Sequence, residues 1–242
     1  MPTLVIEAFG QLASGVGMPI PSDDAEEDLY SLFTAHSELM GWSTTGRRQR
    51  PVLWGMNDAA LTVGADGSRI GWVQVELEDG VEPVTALPAL IQCFHDALGR
   101  LGTVELSGLQ VTGSELQSAR SCSADLISAL NWFNTAPRAM SPAAIVIDDQ
   151  SLKGRTDTEL VATLQQLNTG GFEFGPQLPM AHHHASETPD PSISTPGHSR
   201  LGVSVTLPEW SATAVSWALA IVIDATGASG PCPRSFTARL DV

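Results

Sequence analysis

Val73-Gln74-Val75-Glu76-Leu77 and Val203-Ser204-Val205-Thr206-Leu207 are one kind of segment written twice. Both alternate β-branched or apolar residues with polar ones, the signature of a strand with one face buried. Each is followed by a run of helical pattern and then by a further strand-like segment, Leu106–Val111 and Thr237–Val242. From Leu77 to Leu109 is 32 positions and from Leu207 to Leu240 is 33. Such a repeat constrains the whole fold, because each copy is one structural unit.

Working outward from the first copy, Thr3–Phe9 reads as a strand, and Ser22-Asp23-Asp24 offers caps to a helix that runs to Met40. A second strand is expected at Leu61–Gly64, with Val52–Trp54 as an earlier piece. Ala65-Asp66-Gly67-Ser68 is a hairpin signal, since Asp-Gly tolerates the positive φ of a tight turn. Ile70–Leu77 is the third strand, and Thr85–Leu101 is a helix with Pro88 in its first turn. Thr103–Val111 closes the unit. Residues 117–134 form a linking helix.

The second copy restarts with a strand at Ala144–Asp148 and a helix at Asp157–Leu167. Gly171–Gly175 and Leu201–Leu207 are strands, Trp210–Ala225 is a helix, and Arg234–Val242 is the last strand. Each copy is therefore β-α-β-β-α-β, the order of the ferredoxin-like split βαβ unit. The expected class is α+β, a tandem duplication with units at 1–115 and 142–242 and a linker at 116–141. The two sheets are expected to pack face to face as a pseudo-dimeric α+β barrel. Ala212–Ile223 is apolar nearly all round, which marks a helix buried within the chain.

A hydrophobic content of 43% and a charged content of 16% describe a globular chain. The formal charge of −15 argues against nucleic acid, which needs a basic footprint. Cys93, Cys122 and Cys232 share no metal-type spacing, and an odd count fits a disulfide framework poorly. The first apolar run is broken by Glu7, and the longest mainly apolar stretch has 12 residues, so neither a signal peptide nor a membrane span is expected. A cytoplasmic monomer or homodimer follows.

Strand alternation sorts the candidate site. Leu4, Ile6 and Ala8 face the helices, while Glu7 and Phe9 face away. On the third strand Trp72, Gln74 and Glu76 face away, which puts Glu76 beside Glu7. In the second copy Asp148 matches Glu7, and Ser204 and Thr206 share its face. Facing sheets would enclose these groups, and an enclosed carboxylate can move protons near neutral pH. Glu7, Glu76 and Asp148 are the expected acid–base groups, with Phe9, Trp72, Gln74 and Thr206 around the substrate. The loop 176–199 carries His182, His184 and His198 amid prolines, and as a lid it would add acid–base groups.

No nucleophile elbow, phosphate loop or dinucleotide fingerprint is present, and the histidines lack the spacing of a zinc site. The expected activity is that of a cofactor-independent, metal-free isomerase, cyclase or oxygenase acting on a small, largely apolar molecule. The alternative is a non-catalytic acidic protein, an inhibitor or immunity protein, that captures a basic partner through its charge.

Overall fold

The computed structural model describes residues 2–13, 28–43, 52–62, 69–116, 140–149, 152, 154–167, 171–176, 199–227 and 234–241. In chain order the elements are β1 (Thr3–Ala13), α1 (Leu29–Leu39), β2 (Trp54–Leu61), β3 (Arg69–Leu77), α2 (Pro83–Leu101), β4 (Thr103–Leu116), β5 (Ser141–Asp149), α3 (Asp157–Leu167), β6 (Glu173–Pro176), β7 (Ser199–Leu207), α4 (Ala212–Gly227) and β8 (Arg234–Asp241). The class is mixed α+β: four helices among the described residues and one eight-stranded antiparallel sheet in the order β2-β3-β1-β4-β8-β5-β7-β6. The expected linking helix at 117–134 lies outside the described residues.

The closed barrel is not formed. β4 and β8 pair edge to edge, with Gly108 opposite Asp241 and Gly113 opposite Phe236, so the two halves lie side by side in one open sheet. Each half alone would leave the last strand with a row of unpaired amides and carbonyls, and pairing the two rows satisfies both. The face turned away from the helices is consequently one side of a single sheet rather than the lining of a barrel.

Alternation along the strands builds the core. Leu4, Ile6, Val73, Val75, Val111, Ile145, Val203, Val205 and Leu240 are all 0–1% exposed and join the helices in one apolar cluster. Burial on this scale contributes about 1.5–3 kcal/mol per large side chain. α2 lays Leu87, Leu90, Ile91, Phe94 and Leu98 on the sheet. It also touches α4, where the Thr213 hydroxyl donates to Gln92 Oε1 at 3.1 Å. From Ala214 to Thr226 every residue of α4 is buried, the all-round burial that its apolar sequence calls for.

Several boundaries differ from expectation for local reasons. β2 is one strand, not two pieces: Asn57 is taken up by a register shift between Met56 and Asp58, and the Asp58 carboxylate accepts the Ala59 amide. α2 begins at Pro83, which has no N–H to lose at a helix start, so Pro88 sits inside the helix rather than in its first turn. β5 includes Pro142, tolerated because the β8 ladder begins only at Ala144. β1 shifts register on both sides of Phe9. The shift relies on Gly10, at φ 139°, where a side chain would run into the Glu105 carbonyl.

Candidate functional site

The register places the face turned away from the helices in rows that cross the sheet. One row reads Ala60, Trp72, Glu7, Gln110, Arg239, Val146 and Gly202. The next reads Asp58, Gln74, Val5, Thr112, Thr237, Asp148 and Arg200. On the other side of the first row lie Arg69, Phe9, Gly108, Asp241, Ala144, Ser204 and Gly175.

Glu7 sits at the middle of the first half, flanked by Trp72 on β3 and Gln110 on β4. Only 17% of its side chain is exposed. One oxygen accepts from Arg69 Nη1 at 2.7 Å and the other from Gln110 Nε2 at 2.6 Å. The two contacts tie Glu7 to the strands on either side of β1.

The other carboxylates do not gather around it. Glu76 pairs with Thr3, four positions along the ladder from the Glu7–Trp72 pair, or about 13 Å away. Asp148 stands opposite Thr237 and Arg200, in the row of Val5, while the row through Glu7 continues to Val146. Glu7 and Asp148 therefore lie in different rows of the sheet. Gln74 lies beside Val5, and Thr206 lies between Pro142 and Glu173. Of the expected binding residues only Phe9 and Trp72 flank Glu7. His182, His184 and His198 lie outside the described residues.

The structure adds four participants: Arg69, Gln110, Arg239 and Asp241. The Arg239 guanidinium stands 4.1 Å from the centre of the Phe9 ring, a cation–π contact across β4. Its Nε donates to both oxygens of Asp241 at 3.0 and 2.9 Å. Thr112 and Thr237 bring their hydroxyls within 3.3 Å. The sequence signal for these residues is strand alternation, on β3 for Arg69, on β4 for Gln110 and on β8 for Arg239 and Asp241.

On the helix side, His36 lies 3.6 Å from Asp96 and stacks on Trp42, while Gln92 donates to Asp96 at 2.8 Å. This ties α1 to α2 as a rim contact. Cys93 is buried beside it, and burial first, then the Asp96 charge, pushes its thiol up to about 12. Such a thiol is no nucleophile at neutral pH. Among the described residues no three His, Cys, Asp or Glu side chains come together as a metal site, and no helix is long and apolar enough to cross a membrane. No protein-family model matches the chain, and no curated protein or solved structure matches it.

Proposed function

We propose that this chain is a non-catalytic, acidic binding protein whose partner carries net positive charge. The observation that carries the reading is the engagement of Glu7: this candidate carboxylate, 17% exposed, accepts from Arg69 on one oxygen and from Gln110 on the other. General acid–base work needs a carboxyl free to exchange its proton with substrate. The chain's charge of −15 would steer a cationic partner and speed its capture. A reducing, cytoplasmic setting suits the free, buried thiol of Cys93.

A second reading, the cofactor-independent isomerase, cyclase or oxygenase, draws support from the juxtaposition of Glu7 with Trp72 and Gln110, near Phe9 and Arg239. There the small apolar substrate would lie against the two rings. We also propose that residues 1–115 and 142–242 are copies of one ferredoxin-like unit. The strand orders β2-β3-β1-β4 and β6-β7-β5-β8 support this, since each half places its elements alike.

The test is to immobilise the chain, recover what it retains at low salt and titrate the purified partner across ionic strength. A protein of net positive charge whose affinity falls at least about tenfold between roughly 50 and 200 mM salt supports the reading. Salt-insensitive binding overturns it, as does turnover of a small apolar molecule that Glu7→Gln abolishes.

A further inference from the structure

We infer that the exposed end of α1, with the turn between β3 and α2 beside it, is the docking surface for a basic protein segment that carries an apolar side chain. The inference rests on the reading of a basic partner and says where on the chain that partner sits. Exposed apolar side chains, unmatched acids and the backbone contacts that bring the two together support it.

The apolar part lies at the helix end. α1 buries Leu29, Phe33 and Ser37, yet its last residue, Leu39, is 85% exposed and the following Met40 is 46% exposed. Among the described residues the other exposed large apolar side chains are Tyr30 and Met140. Burying a leucine from this state is worth about tenfold or more in affinity. Two such side chains in succession can therefore act as the anchors that supply most of an interface's binding energy.

Backbone hydrogen bonds bring an acidic turn beside this end. The Leu53 amide donates to the Trp42 carbonyl at 2.8 Å, and the Glu78 amide donates to the Leu53 carbonyl at 3.1 Å. The turn Glu78-Asp79-Gly80-Val81 is closed by the Val81 amide, which donates to the Glu78 carbonyl at 3.0 Å. It therefore lies two strand spacings, or about 10 Å, from the chain just past the helix. Asp79 and Gly80 are exposed, and Glu38 precedes Leu39 in the chain.

The charge chooses the partner. Among the described residues no ion pair or side-chain hydrogen bond engages Glu38, Glu78 or Asp79. On the sheet, by contrast, Glu7 and Asp241 are matched by Arg69 and Arg239. Residues 28–43, 52–62 and 70–99 contain no Lys or Arg, and Arg69 and Arg100 sit at the far ends of β3 and α2. The last carbonyls of α1 add partial negative charge at the same place. Apolar anchors among acids are complementary to a lysine- or arginine-rich segment that presents a leucine-like side chain.

The experiment is fluorescence anisotropy with the full chain and two labelled probes. One is a peptide of three Leu-Lys-Lys-Leu repeats; the other, of three Ser-Lys-Lys-Ser repeats, has the same charge without the apolar side chains. At roughly 50 mM salt the leucine probe should bind at least ~10-fold more tightly. Leu39→Ser with Met40→Ser should abolish that preference with an unchanged circular dichroism spectrum. Glu78→Gln with Asp79→Asn should weaken both probes at least ~5-fold and carries the test if the first variant misfolds. Glu105→Gln with Glu173→Gln, which removes as much charge from exposed sites elsewhere, should weaken them less than ~2-fold. Equal weakening by the two charge variants, equal affinity for the two probes, or no binding of the leucine probe at roughly 100 µM overturns the inference. So does binding more than ~10-fold tighter after Arg47→Gln, Arg48→Gln and Arg50→Gln, which makes the chain's own arginines the occupant. A natural partner that salt weakens, but that ignores the Leu39 and Glu78 variants, overturns this surface and leaves the reading of a basic partner standing. Salt-insensitive binding of that partner removes the reading itself.

Discussion

Gln110 and Arg239 are direct partners across the ladder that joins β4 to β8. Both reach over to β1: the Gln110 amide donates to Glu7 at 2.6 Å, and the Arg239 guanidinium covers the Phe9 ring at 4.1 Å. The join is thus held by side chains from both halves as well as by backbone pairing, and the halves should lose their structure together.

Leu240 tests this. It is fully buried and paired with Leu109 at the join. Leu240→Ala should cost about 2–5 kcal/mol through lost burial and an unfilled cavity. Calorimetry of the wild type and the variant should each show one transition, with calorimetric and van't Hoff enthalpies equal. Two resolved transitions in either protein would show that the halves unfold independently.

The Glu7–Arg69 pair should be modest in energy. The arginine side chain is 42% exposed, so solvent screens it and its ordering opposes the contact. A double-mutant cycle of Glu7→Gln and Arg69→Gln should give a coupling of about 0.5–1 kcal/mol, smaller at high salt. A coupling above roughly 3 kcal/mol would mean a fully desolvated pair and contradict the exposure of Arg69.

Cys93 should limit alkaline stability. Its folded-state thiol is raised from an ordinary 9.0 to about 12, so the folded chain keeps a proton that the unfolded chain gives up. The contribution is whole below pH 9.0 and is lost as pH rises towards 12, with a slope nearing about 1.4 kcal/mol per pH unit. Denaturant midpoints measured for wild type and Cys93→Ala should converge over that window. Parallel curves would place the thiol in a wetter site than the contact with the Phe33 carbonyl implies.

Asp28 should matter at the acid end. Its carboxylate accepts the Ser31 amide at 2.7 Å as the N-cap of α1, and hydrogen bonds with Ser31 hold it below its ordinary 3.8. The benefit is present above pH 3.8 and lost as pH falls through the lower folded value. Asp28→Ala should cost about 1 kcal/mol at neutral pH. The gap from wild type should shrink in acid, and a gap constant down to pH 2 would show that the cap works without its charge.

Element order and the two faces of most strands were legible in the sequence because periodicity reports burial directly. Val73, Val75 and Leu77 alternate with Trp72, Gln74 and Glu76, and the structure buries the first set and leaves the second partly open. How the two halves meet was not legible. Face-to-face packing and edge-to-edge pairing ask for the same alternation, and the choice rests on which groups oppose each other at β4 and β8. Site positions failed for a related reason. Alternation puts Glu7 and Glu76 on one face, but only the ladder register, with Thr3 opposite Glu76 and Trp72 opposite Glu7, sets them four positions apart. The contacts of Glu7 come from Arg69 and Gln110, which are 62 and 103 residues away along the chain.

The two outermost strands, β2 and β6, bear on how the protein behaves when crowded with other chains. An open sheet ends in backbone groups that could template growth by a passing strand. At one rim the displaced Asn57 breaks the regular repeat, and the Asp58 carboxylate takes up the Ala59 amide. At the other rim the strand has only four residues and ends at Pro176, which has no amide hydrogen to offer. Among the described residues neither rim presents a long regular template, so the sheet can be eight strands wide without inviting a ninth from a neighbour and the fibrous growth that would follow.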